Sequence, residues 1–429
     1  MFLTFTHWAR EHRPCGRSIP STPVEDIRSS MNILVNMDAT LQSHIERLYT
    51  ILAKRRDLQL DRDWLRQVLF NVPRHRFIEQ YYDHEAPDGI VQVESPKPTA
   101  RQLETIYFDR GLMIREKPHS AASQPGLIFE MLADLELAHG LKVLEVGTGS
   151  GWNAGLIAFS VGDDSLVYSI DLQTDLVEKA RSHLRSIGFN RVNLKAGDGG
   201  FGWQGETFDR IIVTVGAPDI PPAWGQSLTE GGILVMPLKT GGVGDPILRL
   251  HKQGNKLTGK FTRWAGFMNL QGSFRSASED VLEPPWEPVI AALLQSEPTS
   301  VPLPTSFGTD CAFWLRLNGV PMQMLGEYKG QRGMHPVLLD KELPALYVPQ
   351  SVYDSKVGKH MDVYGNPQLV ERVIKGVEAW VELGEPRITD YHVELINSTE
   401  SGDTEPQYYI DKRPYATLKF SLTNDFKFR

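Results

Sequence analysis

Leu141-Lys142-Val143-Leu144-Glu145-Val146-Gly147-Thr148-Gly149-Ser150-Gly151 decides the fold of this chain. A short apolar run that ends in alternating glycines reads as a strand feeding the start of a helix. Glycine has no Cβ, so a ligand can approach the backbone closely there. The helix start adds free N–H groups. Outward from this turn the period keeps alternating. A helix over Leu127–Leu137 precedes it and another over Asn153–Phe159 follows. A strand over Leu166–Ile170 closes on Asp171, and a helix runs from about Asp175 to Ile187. The next strand, Val192–Ala196, closes on Gly197-Asp198-Gly199, and apolar runs follow at Arg210–Val215 and Gly232–Met236. Short apolar runs separated by helices predict βαβ units and a parallel sheet covered on both faces, an α/β Rossmann-like fold.

Three features fall at the carboxyl ends of strands, the rim where open α/β sheets bind ligands. They are the glycine turn, Asp171 and Asp198. Asp171 stands about 20 residues beyond the turn, where a carboxylate can accept both hydroxyls of a ribose. Asp198 is placed to accept from an adenine amino group. The turn is G-x-G-x-G rather than the dinucleotide pattern G-x-G-x-x-G, and Glu145 lies just before it. A pyrophosphate would meet an added negative charge there. S-adenosylmethionine, with a sulfonium, an ammonium and no phosphate, would be attracted. The predicted cofactor contacts are Glu145, Gly147, Thr148, Gly149, Ser150, Asp171, Leu172, Asp198, Gly199 and Thr214. The competing readings are glycines that serve strand–helix packing alone and a solvated strand-end acid at Glu145. Two other classes stay open, a nicotinamide dehydrogenase and a non-catalytic peptide-binding module.

With 429 residues the chain exceeds one ordinary domain of roughly 100–200 residues. Apolar residues at 41% and charged residues at 23% fit a core-forming protein. The 45 Lys and Arg against 53 Asp and Glu leave a net charge of −8, which argues against a nucleic-acid coat or a binder of anionic membranes. Two cysteines, Cys15 and Cys311, make neither a disulfide framework nor a four-thiolate zinc site. His335, Asp354, His360 and Asp362 show no metal-site spacing, so no metal is expected. No run approaches the roughly 18–20 apolar residues of a membrane span, and a cytoplasmic setting is expected.

Four regions are predicted. Residues 1–37 read as a disordered leader, or as an upstream extension if synthesis starts at Met31 or Met37. Residues 38–125 form a helical and substrate-loop region, with 83–118 a long loop. Residues 126–275 form the nucleoside-binding domain. Residues 280–429 form a second, α+β domain, joined through Glu283-Pro284-Pro285 and concerned with substrate recognition. Removing it near residue 280 is expected to abolish transfer and leave cofactor affinity intact.

Five segments in this order resemble the protein-L-isoaspartate O-methyltransferase family. They are Val72-Pro73-Arg74-His75-Arg76-Phe77, Ser123-Gln124-Pro125, Val143 to Gly151, Gly197-Asp198-Gly199 and Phe208 to Thr214. The resemblance covers roughly residues 62–240. It implies methylation of a carboxylate by S-adenosylmethionine, with Ser123 at the family's active-site serine, while Gly147, Gly149, Asp171 and Asp198 match its cofactor contacts. The segment Tyr82–Ile90 and the pair Ala121-Ala122 depart from family segments that border an isoaspartyl substrate. The C-terminal region resembles relatives that methylate a normal Asp of one ribosomally made peptide, so that an aspartimide forms. General repair of isoaspartyl (or D-aspartyl) proteins is the alternative.

The partner expected is thus a peptide or protein bearing Asp or isoAsp, not a nucleic acid or a membrane. Such a carboxylate, with an ordinary pKa near ~3.9, is ionised at neutral pH and needs no general base. Orientation then carries the catalysis, and holding reactants in line supplies on the order of 7–11 kcal/mol. Ser123 can orient the acceptor or, as a competing reading, cap the helix that Pro125 begins. Arg74, His75 and Arg76 are candidate contacts for an acidic peptide, with a solvated loop as the competing reading.

Overall fold

A computed structural model describes residues 38–422, apart from 56–60, 84, 87, 95–96, 241–243, 276–285, 305, 321, 329–330, 340–344, 350–359 and 397–407. The expected leader, the expected linker Glu283-Pro284-Pro285 and Asp354 lie outside the described residues.

The chain opens with helix α1 (Ala39–Ala53), whose first turn is capped by Asp38 accepting from the Thr40 N–H. Ile45, Leu48 and Leu52 recur at helical spacing and are buried. Helix α2 (Arg62–Asn71) is capped by Asp61 and buries Leu65, Val68 and Leu69. The expected long loop is structured. It holds the strand β2 (Ile90–Gln92), the helix α3 (Ala100–Ile106) and the strand β3 (Leu112–Arg115), flanked by their pairing partners β1 (Gln80–Tyr82) and β4 (Ser120–Ala122). Strands of three or four residues are too short to print a period of two, which is why the pattern looked structureless. Helix α3 carries a capping box, with Thr99 and Gln102 each bonding the other's backbone.

Helix α4 (Pro125–Leu135) leads into the alternating region. It comprises β5 (Val143–Val146), α5 (Trp152–Val161), β6 (Val167–Asp171), α6 (Thr174–Ser186), β7 (Asn193–Ala196), β8 (Phe208–Val213), the short α7 (Pro222–Ser227) and β9 (Leu228–Pro237). Antiparallel strands β10 (Ile247–Gln253) and β11 (Lys256–Arg263) follow. Strands β5 to β9 are parallel, in the order β7-β6-β5-β8-β9. After β7 the chain crosses back to the other side of β5, so the sheet's switch point lies beside the glycine turn. Four residues of β5 are buried on both faces, as a central parallel strand requires. The fold is a Rossmann-like α/β sheet.

Beyond residue 280 the structure departs from one separate domain. Helix α8 (Trp286–Leu293), β12 (Thr299–Pro302), helix α9 (Thr309–Leu317), β13 (Met322–Tyr328), β14 (Gln331–Leu339), β15 (Ala345–Pro349), β16 (His360–Gly365) and α10 (Pro367–Glu382) come first. Strands β12 to β16 form their own five-stranded sheet. The final strands β17 (Tyr391–Ile396), β18 (Tyr408–Lys412) and β19 (Thr417–Leu422) instead extend the central sheet. Strand β17 pairs with β11 and with β19, giving ten strands in the order β18-β19-β17-β11-β10-β9-β8-β5-β6-β7. Phe313, Tyr391, Leu418 and Phe420 pack with Leu248, Leu250 and Phe261 in one core. That shared core is the physical reason the boundary at 280 does not divide two independent units. Among the described residues, no helix is long and apolar enough to cross a membrane.

Candidate active site

Three glycines of the turn after β5 have positive φ: Gly147 at 101°, Gly149 at 51° and Gly151 at 86°. These left-handed conformations explain the residue type. A Cβ on Gly147 would meet the Thr214 hydroxyl at 2.5 Å, whereas one on Gly149 would meet only the Ala121 carbonyl, at 3.8 Å. The turn is therefore pressed against β8 on one side and open on the other. Thr214 donates its hydroxyl to the Gly147 carbonyl at 2.8 Å and holds that side shut.

Asp171, at the end of β6, accepts from the Gly149 N–H at 2.9 Å and from the Gln173 N–H at 3.0 Å. Burial raises its pKa, against the lowering effect of those backbone donors. A carboxylate has about four lone-pair sites, so two remain for a diol. Glu145 is fully buried beneath the turn. It accepts from Asn153 Nδ2 at 2.7 Å and from Ser169 Oγ at 2.5 Å, and Ser169 in turn meets the Thr148 hydroxyl at 2.7 Å. Burial pushes the Glu145 carboxyl up to about 7, with Ser169 and Asn153 pulling the other way. A cation brought to the turn would favour its ionised form.

A cleft of about 630 Å³ opens above the turn. It gathers Glu145, Gly147, Thr148, Gly149, Ser150, Asp171, Leu172, Gly199 and Thr214 of the expected cofactor contacts, and Ser123 on the facing wall. The lining also holds Arg55, His119 and Glu130; the ionisable groups bonded to the turn or directly before it are Asp171 and Glu145. This donor set suits a cationic nucleoside and opposes a phosphate, so the residues fit S-adenosylmethionine. Ser123 is not the helix cap. The N-cap of α4 is Gln124, without a side-chain bond, and Asp109 reaches across instead to accept from the Gly126 N–H at 2.7 Å.

Four expected contacts stand apart from the cleft lining. Arg74 and His75 are 1% and 9% exposed, so neither can meet a peptide. The Arg74 guanidinium points inward and donates to the carbonyls of Ile106, Phe108, Arg110, Ala122 and Ser123 at 2.6–3.3 Å. Burial pushes it down to about 9, which still leaves it charged at neutral pH. His75 Nδ1 meets the Tyr107 hydroxyl at 2.8 Å, and burial pushes the imidazole down to about 4. Arg76 donates to the Ser186 carbonyl. A three-residue basic run thus became one inward anchor, one buried neutral ring and one helix-end contact. Asp198 accepts from the Gly200 and Ser273 N–H groups at 3.0 and 2.7 Å.

The structure adds residues that the pattern did not single out. Trp264 to Gln271 form a wall of the cleft, although they carry no period and no motif. Phe267 is fixed there by Asp245, which accepts from its N–H at 2.8 Å and pairs with Lys239 at 3.0 Å. Asn153 and Ser169 were invisible as sites because a helix-start amide and a mid-strand hydroxyl look ordinary until Glu145 is seen between them.

The model of the family described as protein-L-isoaspartate(D-aspartate) O-methyltransferase matches residues 46–272, more than half of the chain. The chain belongs to this family. It is 35% identical over 217 residues to a protein-L-isoaspartate O-methyltransferase of Geobacter metallireducens, covering 50% of this chain and 88% of that relative. It is 32% identical over 198 residues to one of Methanosarcina mazei, covering 46% and 70%. A solved structure titled protein-L-isoaspartate O-methyltransferase matches with 20% identity and a TM-score of 0.48, over 82% of this chain and 96% of that one. The chain is thus an S-adenosylmethionine-dependent carboxyl O-methyltransferase of the protein-L-isoaspartate O-methyltransferase family. Among the described residues, no group of three or more His, Cys, Asp or Glu is placed to hold a metal.

Proposed function

We propose that this enzyme methylates the side-chain carboxylate of a normal Asp in one dedicated ribosomal peptide, and that the ester then closes to an aspartimide. The observation that carries the reading is the substrate side of the cleft. There the hairpin β3–β4 and the wall Trp264–Gln271 stand around Ser123, and Ala121-Ala122 replace the family's usual approach to that serine. In this reading residues 280–429 hold the peptide.

S-adenosylmethionine supplies an electrophilic methyl group. Asp171 would accept hydrogen bonds from the ribose hydroxyls, the open face of Gly149 would leave room for the nucleoside against the backbone, and Glu145 would offset positive charge at the turn. Ser123 donates to the acceptor carboxylate and fixes which oxygen faces the methyl carbon. That oxygen forms the new bond to carbon while the sulfur–carbon bond breaks, so no proton moves. A site of this kind must orient the charges without stabilising them before they neutralise. Once the ester exists, the nitrogen of the next peptide bond attacks its carbonyl and methanol leaves. That closure asks nothing of the protein.

Matched synthetic peptides with Asp or isoAsp at one position, and any short peptide precursor encoded beside this gene, test the reading. Transfer to the Asp-bearing precursor, followed by net loss of one water, supports it. Transfer to unrelated isoAsp peptides, with the Asp forms inert, assigns general repair instead.

A further inference from the structure

The wall of the cleft is anchored from outside the family-matched segment. Trp264 lines the cleft and donates its indole N–H to Asp310 Oδ1 at 2.7 Å. Asp310 sits in the first turn of α9, and the same oxygen accepts from the Ile388 N–H at 2.9 Å, just before β17. One carboxylate therefore ties the cleft wall to both a C-terminal helix and the strands that extend the sheet. The Trp264 ring also stands edge-on to Phe313, 6.1 Å between centroids. At the far end of the wall Phe274 packs on Tyr415 at 4.7 Å, and the Ser273 N–H holds Asp198. Between these anchors the Gly216 N–H donates to the Met268 carbonyl at 2.7 Å, and the Leu270 N–H to the Gly216 carbonyl.

An indole is large, flat and apolar on its faces, with one directional donor at its edge. Its hydrogen bond to Asp310 fixes that edge. Without it, the ring can turn about its side-chain bonds and change the width of the cleft that it lines with Ser123. The nucleoside contacts of the glycine turn and Asp171 share no hydrogen bond with Asp310.

We propose that Asp310 is a positioning residue for the acceptor peptide, acting through Trp264, and that this is how the C-terminal region bears on methyl transfer. The inference rests on reading the cleft as the methyl-transfer site, but it does not depend on which peptide is used.

The test uses the full chain with Asp310→Ala and Asp310→Asn. Asparagine keeps the Oδ1 acceptor, so it is the conservative rescue. With synthetic Asp and isoAsp peptides as acceptors, Asp310→Ala should raise KM about tenfold. Its kcat and its affinity for S-adenosylhomocysteine should stay within about twofold of the parent, and Asp310→Asn should restore KM. A second readout needs no acceptor. The chain has nine tryptophans. Labelled with 5-fluorotryptophan, with the Trp264 resonance assigned through Trp264→Phe, it should show that resonance moved or broadened in Asp310→Ala and restored in Asp310→Asn. An unchanged Trp264 resonance in Asp310→Ala overturns the proposal, as does a fall in cofactor affinity that matches the rise in KM. If neither peptide is methylated by the parent chain, the fluorine spectrum alone decides the contact between Trp264 and Asp310.

Discussion

The ten-stranded sheet has two halves that do different work. In the parallel half, β5 to β9, side chains at strand ends carry the chemistry: the glycine turn, Asp171 and the buried Glu145. In the antiparallel half, β10, β11, β17, β18 and β19, no strand residue lines the cleft, and the chain leaving β11 at Trp264 begins its wall. That half contributes a wall and the core that steadies it. A parallel strand releases its chain at the rim and returns it through a helix, so each rim turn is free to meet a ligand. A meander returns the chain directly through tight turns and spends its strand ends on pairing. The lesson is that added antiparallel strands can shape a site they never touch.

Cutting the chain near residue 280 tests the comparison most severely. It would strip Phe313, Tyr391, Leu418 and Phe420 from the core around Phe261. Losing a single buried aromatic costs about 3–5 kcal/mol, and a whole domain holds only about 5–15. The truncated chain should show no cooperative thermal transition and bind no S-adenosylhomocysteine. This replaces the expectation from sequence that cofactor affinity would survive. A truncated chain that melts cooperatively and still binds would separate the two halves after all.

His75 locates acid sensitivity on the parallel side. Its folded pKa of about 4 lies below the ordinary histidine value. The folded state therefore binds fewer protons, so its contribution is complete above about pH 6.5 and is lost as pH falls toward 4. The loss amounts to about 3 kcal/mol. Denaturant titrations of His75→Gln should show a flatter stability curve over this interval than the parent. Equal slopes would show that the imidazole is not held neutral.

Asp171→Ala should weaken S-adenosylhomocysteine binding about a hundredfold by calorimetry, through lost ribose contacts and a loosened turn. Arg74→Lys should act elsewhere, because a lysine offers three donors from one point and cannot serve five spread carbonyls. It should lower kcat about tenfold and leave cofactor affinity within about twofold. A matching loss of cofactor affinity would make Arg74 a general scaffold rather than the anchor of the Ser123 backbone.

The parallel half was legible because its signals are local. Glycines at positive φ, an acid at a strand end and apolar runs of fixed length each announce themselves within a few residues. The sharing of one sheet by β11 and β17 was not legible, because pairing across more than a hundred residues leaves no local trace. Arg74 shows the opposite failure. Its charge was legible, but a guanidinium that satisfies carbonyls from two segments looks like a surface charge until the loop closes over it. The wall at Trp264–Gln271 failed for a third reason: it is held by Asp245, Asp310 and backbone bonds rather than by any pattern of its own.

The most direct test of the account follows the methyl group. The chain would be given S-adenosylmethionine labelled with ¹³C in the methyl, together with an acidic acceptor peptide, and the product treated with mild base. The account predicts a label on a side-chain carboxyl, released as labelled methanol, with transfer at limiting S-adenosylmethionine sharply reduced in Asp171→Ala. A label that survives base on nitrogen or sulfur, or transfer at limiting S-adenosylmethionine that is undiminished without Asp171, would contradict it.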